Sequence, residues 1–224
     1  DSALNAYDRS REYRKKRFGS ERIGIIGKYF ETGSILDIGC GTGWFLEAAR
    51  DAGYSVAGQE LSSQLAEFTS EKFKLQVHNN EVSEINKKFD VITMFDLIEH
   101  VPDPLKLLHD CNNLLQTGGI ILVFTPNLDS HGITEMREFS SLVTPPSHLH
   151  YFTPKSVQIL SEKEDMDLVM CETRGMDVAD LAAYEEYKGN NEIGKYLRDS
   201  FESIQPCIDA SGCGNHMRFV FKKK

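Results

Sequence analysis

A glycine-rich turn between an apolar run and a helical pattern is the segment best suited to hold a ligand. Residues 35–45 read ILDIGCGTGWF, so Gly39, Gly41 and Gly43 form a G-x-G-x-G pattern. Glycine adopts positive φ angles readily and places no Cβ between the backbone and a ligand. The helix that follows begins with N–H groups that have no partner within the helix. The turn therefore predicts a binding site made largely of backbone.

Two carboxylates indicate which ligand the turn would accept. Asp37 precedes the glycines, and Glu60 lies 21 residues after Gly39, close to the spacing of about 20 at which a carboxylate binds ribose hydroxyls. Asp37 would repel a pyrophosphate and attract an ammonium group. The pattern also differs from the G-x-G-x-x-G of dinucleotide sites, because Trp44 stands at the last glycine. The ligand predicted is a nucleoside joined to an amino acid.

Three histidines are candidates for proton transfer, because imidazole titrates near neutral pH. His100 follows an apolar run, and His148 and His150 lie in a segment with two prolines. In an extended segment His148 and His150 would share a face, because alternate residues point the same way. Purely local roles also fit the pattern. His100 and Glu99 could cap a helix, and one of the two later histidines could bond a backbone carbonyl.

Short apolar runs alternate with helical patterns in the first half of the chain. We expect strands at residues 35–38, 54–58, 75–78, 89–95 and 120–125. We expect helices at residues 44–52, 62–73 and 104–116, the last ending at Gly118 and Gly119. The alternation predicts an α/β fold of the Rossmann-like type, with a doubly wound, mostly parallel sheet and helices on both faces.

The second half begins with an irregular segment at residues 127–153, which predicts a long loop on the substrate side. Thr153 and Pro154 then open a helix as N-cap and first helical residue. A strand at 168–172, helices within 178–205 and a last strand at 217–221 follow. The return of the last strand after a helix predicts an antiparallel strand at the sheet edge.

Composition excludes several classes of protein. The chain of 224 residues carries 25 Lys and Arg against 34 Asp and Glu, a net charge of −9, which disfavours nucleic-acid binding. It has no run of 18 apolar residues, so no membrane span is expected. The five cysteines are odd in number and irregularly spaced, which predicts reduced thiols and a cytoplasmic location. Cys207 and Cys213 lack the second pair that a zinc site needs.

The glycine turn and Glu60 resemble the class I S-adenosylmethionine-dependent methyltransferases, over about residues 33–174. The resemblance implies that Asp37 and the turn meet the methionine part, Glu60 the ribose and Glu81 the adenine. Trp44 would pack under the methionine chain or attach its helix to the sheet. The full set of implied donor-binding residues is Asp37, Gly39, Cys40, Gly41, Gly43, Trp44, Glu60, Leu61, Glu81, Val82, Phe95 and Asp96.

The acceptor side carries a second resemblance. Residues 96–100, DLIEH, resemble the E-x-x-E-H stretch of ubiquinone-biosynthesis O-methyltransferases, with Asp96 in place of the first Glu. The segment 145–154 resembles small-molecule methyltransferases. We therefore expect a small-molecule acceptor and catalytic roles for His100, His148 and His150. A metal site of Asp96, Glu99, His100 and a loop histidine is chemically sensible but disfavoured, because the aspartate is shorter than the glutamate it replaces.

The sequence therefore predicts an enzyme that methylates a sugar-type or phenolic hydroxyl with S-adenosylmethionine and releases S-adenosylhomocysteine. The alternatives are a non-catalytic protein that binds the donor and an NAD-dependent oxidoreductase. Residues 1–32 are expected to form an N-terminal helical cap and residues 33–224 the methyltransferase domain. The charged N-terminal helix predicts a solvated face, or else a cap with Tyr7 and Tyr13 reaching inward. The oligomeric state stays open.

Overall fold

A computed structural model describes residues 10–224 of the chain. Residues 10–14 are helical and lead through a π-helical turn, Lys15–Gly19, into helix α1 (Ser20–Ile26). The remaining helices are α2 (Trp44–Asp51), α3 (Ser63–Phe73), α4 (Pro104–Leu114), α5 (His131–Met136), α6 (Pro154–Lys163), α7 (Asp177–Tyr187), α8 (Asn191–Asp199) and α9 (Phe201–Ala210). Short 3₁₀ turns lie at Val82–Glu84 and Arg137–Phe139.

Seven strands form one sheet. They are β1 (Ser34–Ile38), β2 (Ser55–Gln59), β3 (Gln76–His78), β4 (Phe89–Phe95), β5 (Leu115–Pro126), β6 (Met166–Arg174) and β7 (His216–Lys223). Their order is β3-β2-β1-β4-β5-β7-β6. The pairs β1 with β2, β1 with β4 and β2 with β3 are parallel, and the antiparallel pairing lies at the β5-β7-β6 edge. The predicted fold class is confirmed.

The strand order reverses between β1 and β4. The chain runs outward from β1 to β3 and then crosses back to β4 on the other side of β1. Ligands of open α/β sheets bind at such a reversal, outside the carboxyl ends of the strands. The glycine turn leaves the end of β1, so the topology places it at the reversal.

The chain divides into two compact units. The first comprises residues through Phe95, together with Leu105–Leu122 and Lys222–Lys224, and the second comprises Asp96–Pro104 and Val123–Phe221. The core of the first unit is built from fully buried side chains of β1 and β4, among them Ile35, Leu36, Ile92 and Met94. That of the second includes Val157, Val178, Phe219 and Val220. Each unit therefore has its own apolar core.

The N-terminal helical segment packs on α2. A Cβ at Gly19 would lie only 2.9 Å from the Cβ of Ala48, so the glycine allows a close approach of the two helices. Lys15 Nζ lies 2.6 Å from a carboxylate oxygen of Asp51, and Arg11 pairs with Glu47. Shape and charge together place the segment beside the helix that follows the glycine turn.

The expected junction between the helix at 104–116 and the strand at 120–125 is wrong. Helix α4 ends at Leu114, and Gly118 and Gly119 lie inside β5 rather than at a helix end. A Cβ at Gly119 would lie 2.9 Å from the carbonyl oxygen of Asp90, so this glycine lets β5 pass close to β4. The signal read as a helix stop is therefore a site of close approach between strands.

The segment expected to be a loop at 127–153 contains helix α5 and a 3₁₀ turn. Ser130 caps α5, since its hydroxyl accepts from the N–H of Ile133 at 3.0 Å. Gly132 N–H donates to Asp177 Oδ1 at 3.0 Å, a contact from a distant part of the chain that local pattern does not reveal. The capping of α6 by Thr153, which accepts from Ser156 N–H at 3.1 Å, is confirmed.

Within the described residues, none of the helices combines the length and the apolar character that crossing a membrane requires. All five cysteines are free thiols. Cys40 and Cys111 are buried, and Cys171 and Cys207 are exposed.

Candidate active site

The glycine turn adopts the backbone that its composition predicts. Gly39, Gly41 and Gly43 have φ angles of 68°, 52° and 73°, all in the left-handed region. Gly43 forms the N-cap of α2, and a Cβ there would lie 2.5 Å from Cγ2 of Thr69. Thr69 Oγ1 donates to the carbonyl of Gly41 at 2.7 Å. Helix α3 thus holds the turn through a contact that only glycine permits.

Glu60 follows β2 and fixes the turn from the other side. Its Oε2 accepts from the N–H of Gly41 at 3.0 Å, and its Oε1 accepts from the N–H of Ser62 at 2.9 Å. Leu61 beside it is 61% exposed. The carboxylate therefore lies directly at the glycine turn, as the spacing of 21 residues predicts.

Asp37 lies in β1, two residues before Gly39, and is nearly inaccessible at 4% exposure. Its Oδ1 accepts from Thr93 Oγ1 at 2.6 Å. Burial raises the pKa of this carboxyl to about 7, while the Thr93 hydrogen bond and the charge of Arg22 act in the opposite direction. A buried carboxylate of this kind is stabilised by a cationic ligand, because the ligand offsets the loss of hydration.

Arg22 is a buried arginine that sequence reasoning did not single out. It is 6% exposed, and its guanidinium carbon lies 3.9 Å from the ring centroid of Phe95, 4.5 Å from that of Trp44 and 5.6 Å from that of Phe18. A signal was present, because Arg22 shares the buried face of α1 with Ile25 and Ile26, three and four residues later. A charge on an apolar helix face marks a candidate functional residue.

Trp44 joins an aromatic cluster rather than standing alone. Its ring centroid lies 6.2 Å from that of Phe95 and 5.9 Å from that of Phe45. It therefore attaches the start of α2 to the end of β4. Tyr13, expected as a possible inward residue of the cap, is 59% exposed and contacts Phe18 and Arg17. Tyr7 lies outside the described residues.

The remaining predicted donor residues of the first unit have distinct placements. Cys40 is buried with Leu46 and Phe73, so its side chain belongs to the core. Val82 is buried, and Glu81 is exposed and forms a capping box with Glu84 around the 3₁₀ turn after β3. Because the side chain of Cys40 is buried in the core, only the backbone of this residue is placed to meet a ligand at the turn.

The second unit brings two of the three histidines together with Glu99. Glu99, His100 and His148 each place one atom that could coordinate a metal ion within 4.8 Å of the other two. The ring centroids of the two histidines are 4.7 Å apart, and His100 Nε2 lies 4.0 Å from Glu99 Oε1. Asp96, which the sequence suggested beside Glu99, His100 and a loop histidine, is not in this group, and the loop histidine is His148. Asp96 has a left-handed φ of 53°.

Backbone carbonyls orient both imidazoles. His100 Nδ1 lies 2.8 Å from the carbonyl oxygen of Ser147, and His148 Nδ1 lies 2.9 Å from that of Leu142. Because a carbonyl only accepts, each Nδ1 donates, and each neutral ring carries its lone pair on Nε2. The group therefore presents two imidazole acceptors beside a carboxyl group.

Glu99 is 1% exposed and held on one side only. Its Oε2 accepts from Thr125 Oγ1 at 3.0 Å, whereas its buried Oε1 has no hydrogen-bond partner among residues 10–224. The hydroxyl of Tyr151, whose ring centroid lies 6.0 Å from that of His148, is likewise buried without a partner there. Burial, aided by the charge of Asp96, raises the pKa of Glu99 to about 7. Two buried polar atoms without partners in the described part of the chain, one on Glu99 and one on Tyr151, therefore belong to residues in or next to this group.

His150 does not join the group. Its Nε2 lies 3.3 Å from the carbonyl of Pro102, and its ring packs near Phe152 at 6.2 Å between centroids. Its N–H and that of Leu149 donate to the carbonyl of Glu99 at 3.1 and 2.8 Å. The segment carrying His148 is therefore fastened to the backbone of Glu99.

A family model described as a methyltransferase domain matches residues 7–169 of the chain. The match, the strand order and the glycine turn define a class I S-adenosylmethionine-dependent methyltransferase. The chain belongs to this methyltransferase domain family. The predicted enzyme class and donor are confirmed.

Several similar proteins are ubiquinone biosynthesis O-methyltransferases. That of Haemophilus ducreyi is 25% identical over 191 residues, 76% of each chain. That of Pseudomonas aeruginosa is 32% identical over 116 residues, and the match spans 48% of each chain. A solved structure from Thermotoga maritima, described as a SAM-dependent methyltransferase and possible histamine N-methyltransferase, is 18% identical with a TM-score of 0.64. It covers 99% of this chain and 96% of its own, and it supports the fold.

Proposed function

We propose that the protein transfers the methyl group of S-adenosylmethionine to a hydroxyl of a small molecule, of sugar type or phenolic. The observation that carries this proposal is the group of Glu99, His100 and His148. It places one ring nitrogen of each histidine and one carboxylate oxygen of Glu99 within 4.8 Å of one another, and Glu99 Oε1 has no hydrogen-bond partner among the described residues. An acceptor hydroxyl supplies the O–H donor that the imidazoles lack. The names of the ubiquinone biosynthesis relatives support oxygen as the methylated atom.

We assign the donor to the first unit. Asp37 binds the ammonium group, and Arg22 binds the carboxylate of the methionine part, since both are buried charges near the turn. Glu60 binds the ribose hydroxyls. Glu81 and Val82 meet the adenine. The backbone of the turn and the remaining predicted donor residues of this unit complete the site, namely Gly39, Cys40, Gly41, Gly43, Trp44, Leu61 and Phe95.

The reaction is an in-line displacement at the methyl carbon. A bond forms between the acceptor oxygen and the methyl carbon while the bond from that carbon to the sulfonium sulfur breaks. The hydroxyl proton goes to Nε2 of His148 or His100, and neutral S-adenosylhomocysteine leaves. Because the donor is already activated, orientation and proton removal are the tasks left to the protein. His150, bonded to Pro102, positions the loop rather than the proton.

The test compares His148→Gln with His150→Gln in turnover of labelled S-adenosylmethionine against a panel of phenols, catechols and sugars. We expect His148→Gln to lower kcat by about 100-fold, within the usual range for a general base, with unchanged affinity for S-adenosylhomocysteine. His150→Gln should lose much less. Equal turnover in wild type and His148→Gln, or loss of donor binding in that variant, would contradict the assigned role.

Binding and turnover measurements on the wild-type protein also test the two alternative functions. A non-catalytic binder would show donor affinity without turnover of any acceptor. An NAD-dependent oxidoreductase would be stabilised thermally by NAD and not by S-adenosylhomocysteine.

The proposal also includes the domain organisation: a cap of residues 1–32, a methyltransferase domain of residues 33–224 and an acceptor-side segment at 127–153. It includes the cytoplasmic location as well, which rests on the cysteine content.

A further inference from the structure

Three aromatic side chains surround the guanidinium of Arg22, and we call Phe18, Trp44 and Phe95 the aromatic cradle. The two nearest rings lie at 3.9 Å (Phe95) and 4.5 Å (Trp44) from the guanidinium carbon. Aromatic faces carry negative quadrupole potential and attract cations most strongly where water is excluded. At 6% exposure Arg22 is in that situation. The cradle therefore favours a buried, charged arginine in one orientation.

The cradle stands at the glycine turn. Trp44 is the first residue of α2, directly after Gly43, and Phe95 is the last residue of β4. Strand β4 pairs with β1 so that Met94 lies opposite Ile38, the residue before the turn. The two rings thus come from the two elements that border the turn, and they hold a side chain that arrives from α1. The electrostatic effect of Arg22 on Asp37 agrees with this placement.

We infer that Trp44 and Phe95 are positioning residues that hold the Arg22 guanidinium at the turn, where it binds the carboxylate of the donor. The inference rests on the proposed donor site. An aliphatic side chain at position 44 would fill part of the same volume but would lack the π face. The guanidinium would then lose its attraction to the buried position and turn toward water. Trp44 thereby acts on recognition of the amino-acid half of the donor and not on the nucleoside half.

Two ligands separate these halves. S-adenosylhomocysteine has the amino-acid carboxylate, whereas 5′-methylthioadenosine has the same nucleoside and no amino acid. The experiment measures both dissociation constants by isothermal titration calorimetry for wild type, Arg22→Met, Trp44→Leu, Trp44→Phe and the double variant Arg22→Met with Trp44→Leu. Tyr187→Leu is the control for loss of an aromatic ring, because Tyr187 is 80% exposed.

We expect Trp44→Leu to weaken binding of S-adenosylhomocysteine about tenfold, the size of a desolvated cation–π contact. The dissociation constant of 5′-methylthioadenosine should change by less than about twofold. Arg22→Met should do the same with a larger loss. The double variant should equal Arg22→Met, since a positioning residue has nothing to position once the arginine is gone. Trp44→Phe should retain most of the affinity, and Tyr187→Leu all of it.

Equal weakening of both ligands by Trp44→Leu would overturn the inference, and so would additive losses in the double variant. Should Trp44→Leu fail to fold by circular dichroism, Phe95→Leu makes the same predictions. Failure of the donor site itself looks different, because wild type would then bind neither ligand. If wild type binds S-adenosylhomocysteine and Arg22→Met matters while Trp44→Leu and Phe95→Leu do not, only the cradle is refuted.

Discussion

Asp37 and Glu99 are the two acidic side chains, among the described residues, whose pKa values are raised the most. Burial raises the pKa of each to about 7. Each has one oxygen held by a threonine hydroxyl, Asp37 by Thr93 and Glu99 by Thr125. A fold selected for stability alone would neutralise or pair such groups. Their burial supports the proposal that ligands supply the missing partners.

Asp37→Asn should stabilise the ligand-free protein above pH 7 and weaken binding of the donor. A folded pKa above the unfolded value gives stability that is present below about pH 4 and is lost as the pH rises through about 7. The asparagine side chain is neutral throughout, so the variant should lack this loss, which is on the order of 2 to 4 kcal/mol. Urea unfolding at pH 5 and pH 8 measures it. A variant less stable than wild type at pH 8 would contradict this account.

Glu99→Gln should change how activity depends on pH. In wild type we expect kcat/KM to rise as the pH increases through about 7, because Glu99 then loses its proton and favours the imidazolium formed in the reaction. Glutamine retains the contact with Thr125 without titrating. The variant should be slower and have a flatter profile between pH 5.5 and 8. A profile of unchanged shape would show that Glu99 does not act on the proton transfer.

At the scale of elements, the path from β1 through the turn into α2 depends on contacts from α3. Gly43 has a left-handed φ of 73° and a hypothetical Cβ 2.5 Å from Thr69. Gly53 has a φ of 95° but no atom within 4 Å of its hypothetical Cβ. The two glycines separate the effect of backbone strain from that of close packing.

Gly43→Ala should therefore destabilise the protein more than Gly53→Ala. Both variants carry the strain of a non-glycine residue at positive φ, about 1 kcal/mol. Gly43→Ala adds the cost of overpacking, about 1 to 3 kcal/mol, and should also weaken S-adenosylhomocysteine because the turn must shift. Denaturant melts and titration calorimetry measure the two effects. Equal losses in both variants would show that the contact with Thr69 relaxes freely.

At the scale of the whole molecule, the sheet order explains why the proposed donor site is centred on a single turn. The reversal between β1 and β4 leaves the carboxyl end of β1 uncovered by a crossover helix. Three further elements add side chains there: Glu60 after β2, Phe95 at the end of β4, and Arg22 from α1. The N-terminal helical segment is thus part of the donor site as proposed and not only a solvated appendage.

Much of this was accessible from local pattern. Hydrophobic periodicity and glycine spacing predicted the α/β fold, the turn and the place of Glu60, because each depends on neighbours within a few residues or one βαβ unit. Helix α5 and the true role of Gly119 were missed. Gly132 is bonded by Asp177, and Gly119 meets the backbone of Asp90, so both depend on residues remote in sequence.

The amino-acid sequence by itself determined the class of enzyme and its donor, since the turn and its carboxylates lie within one βαβ unit at fixed spacing. Only the tertiary structure decided which histidine accompanies His100. His148 and His150 look equivalent in sequence, but the carbonyls of Leu142 and Pro102 turn them to different partners. It also decided that Arg22 is buried among aromatic rings. Orientation and burial arise from contacts between distant segments, and no local pattern encodes them.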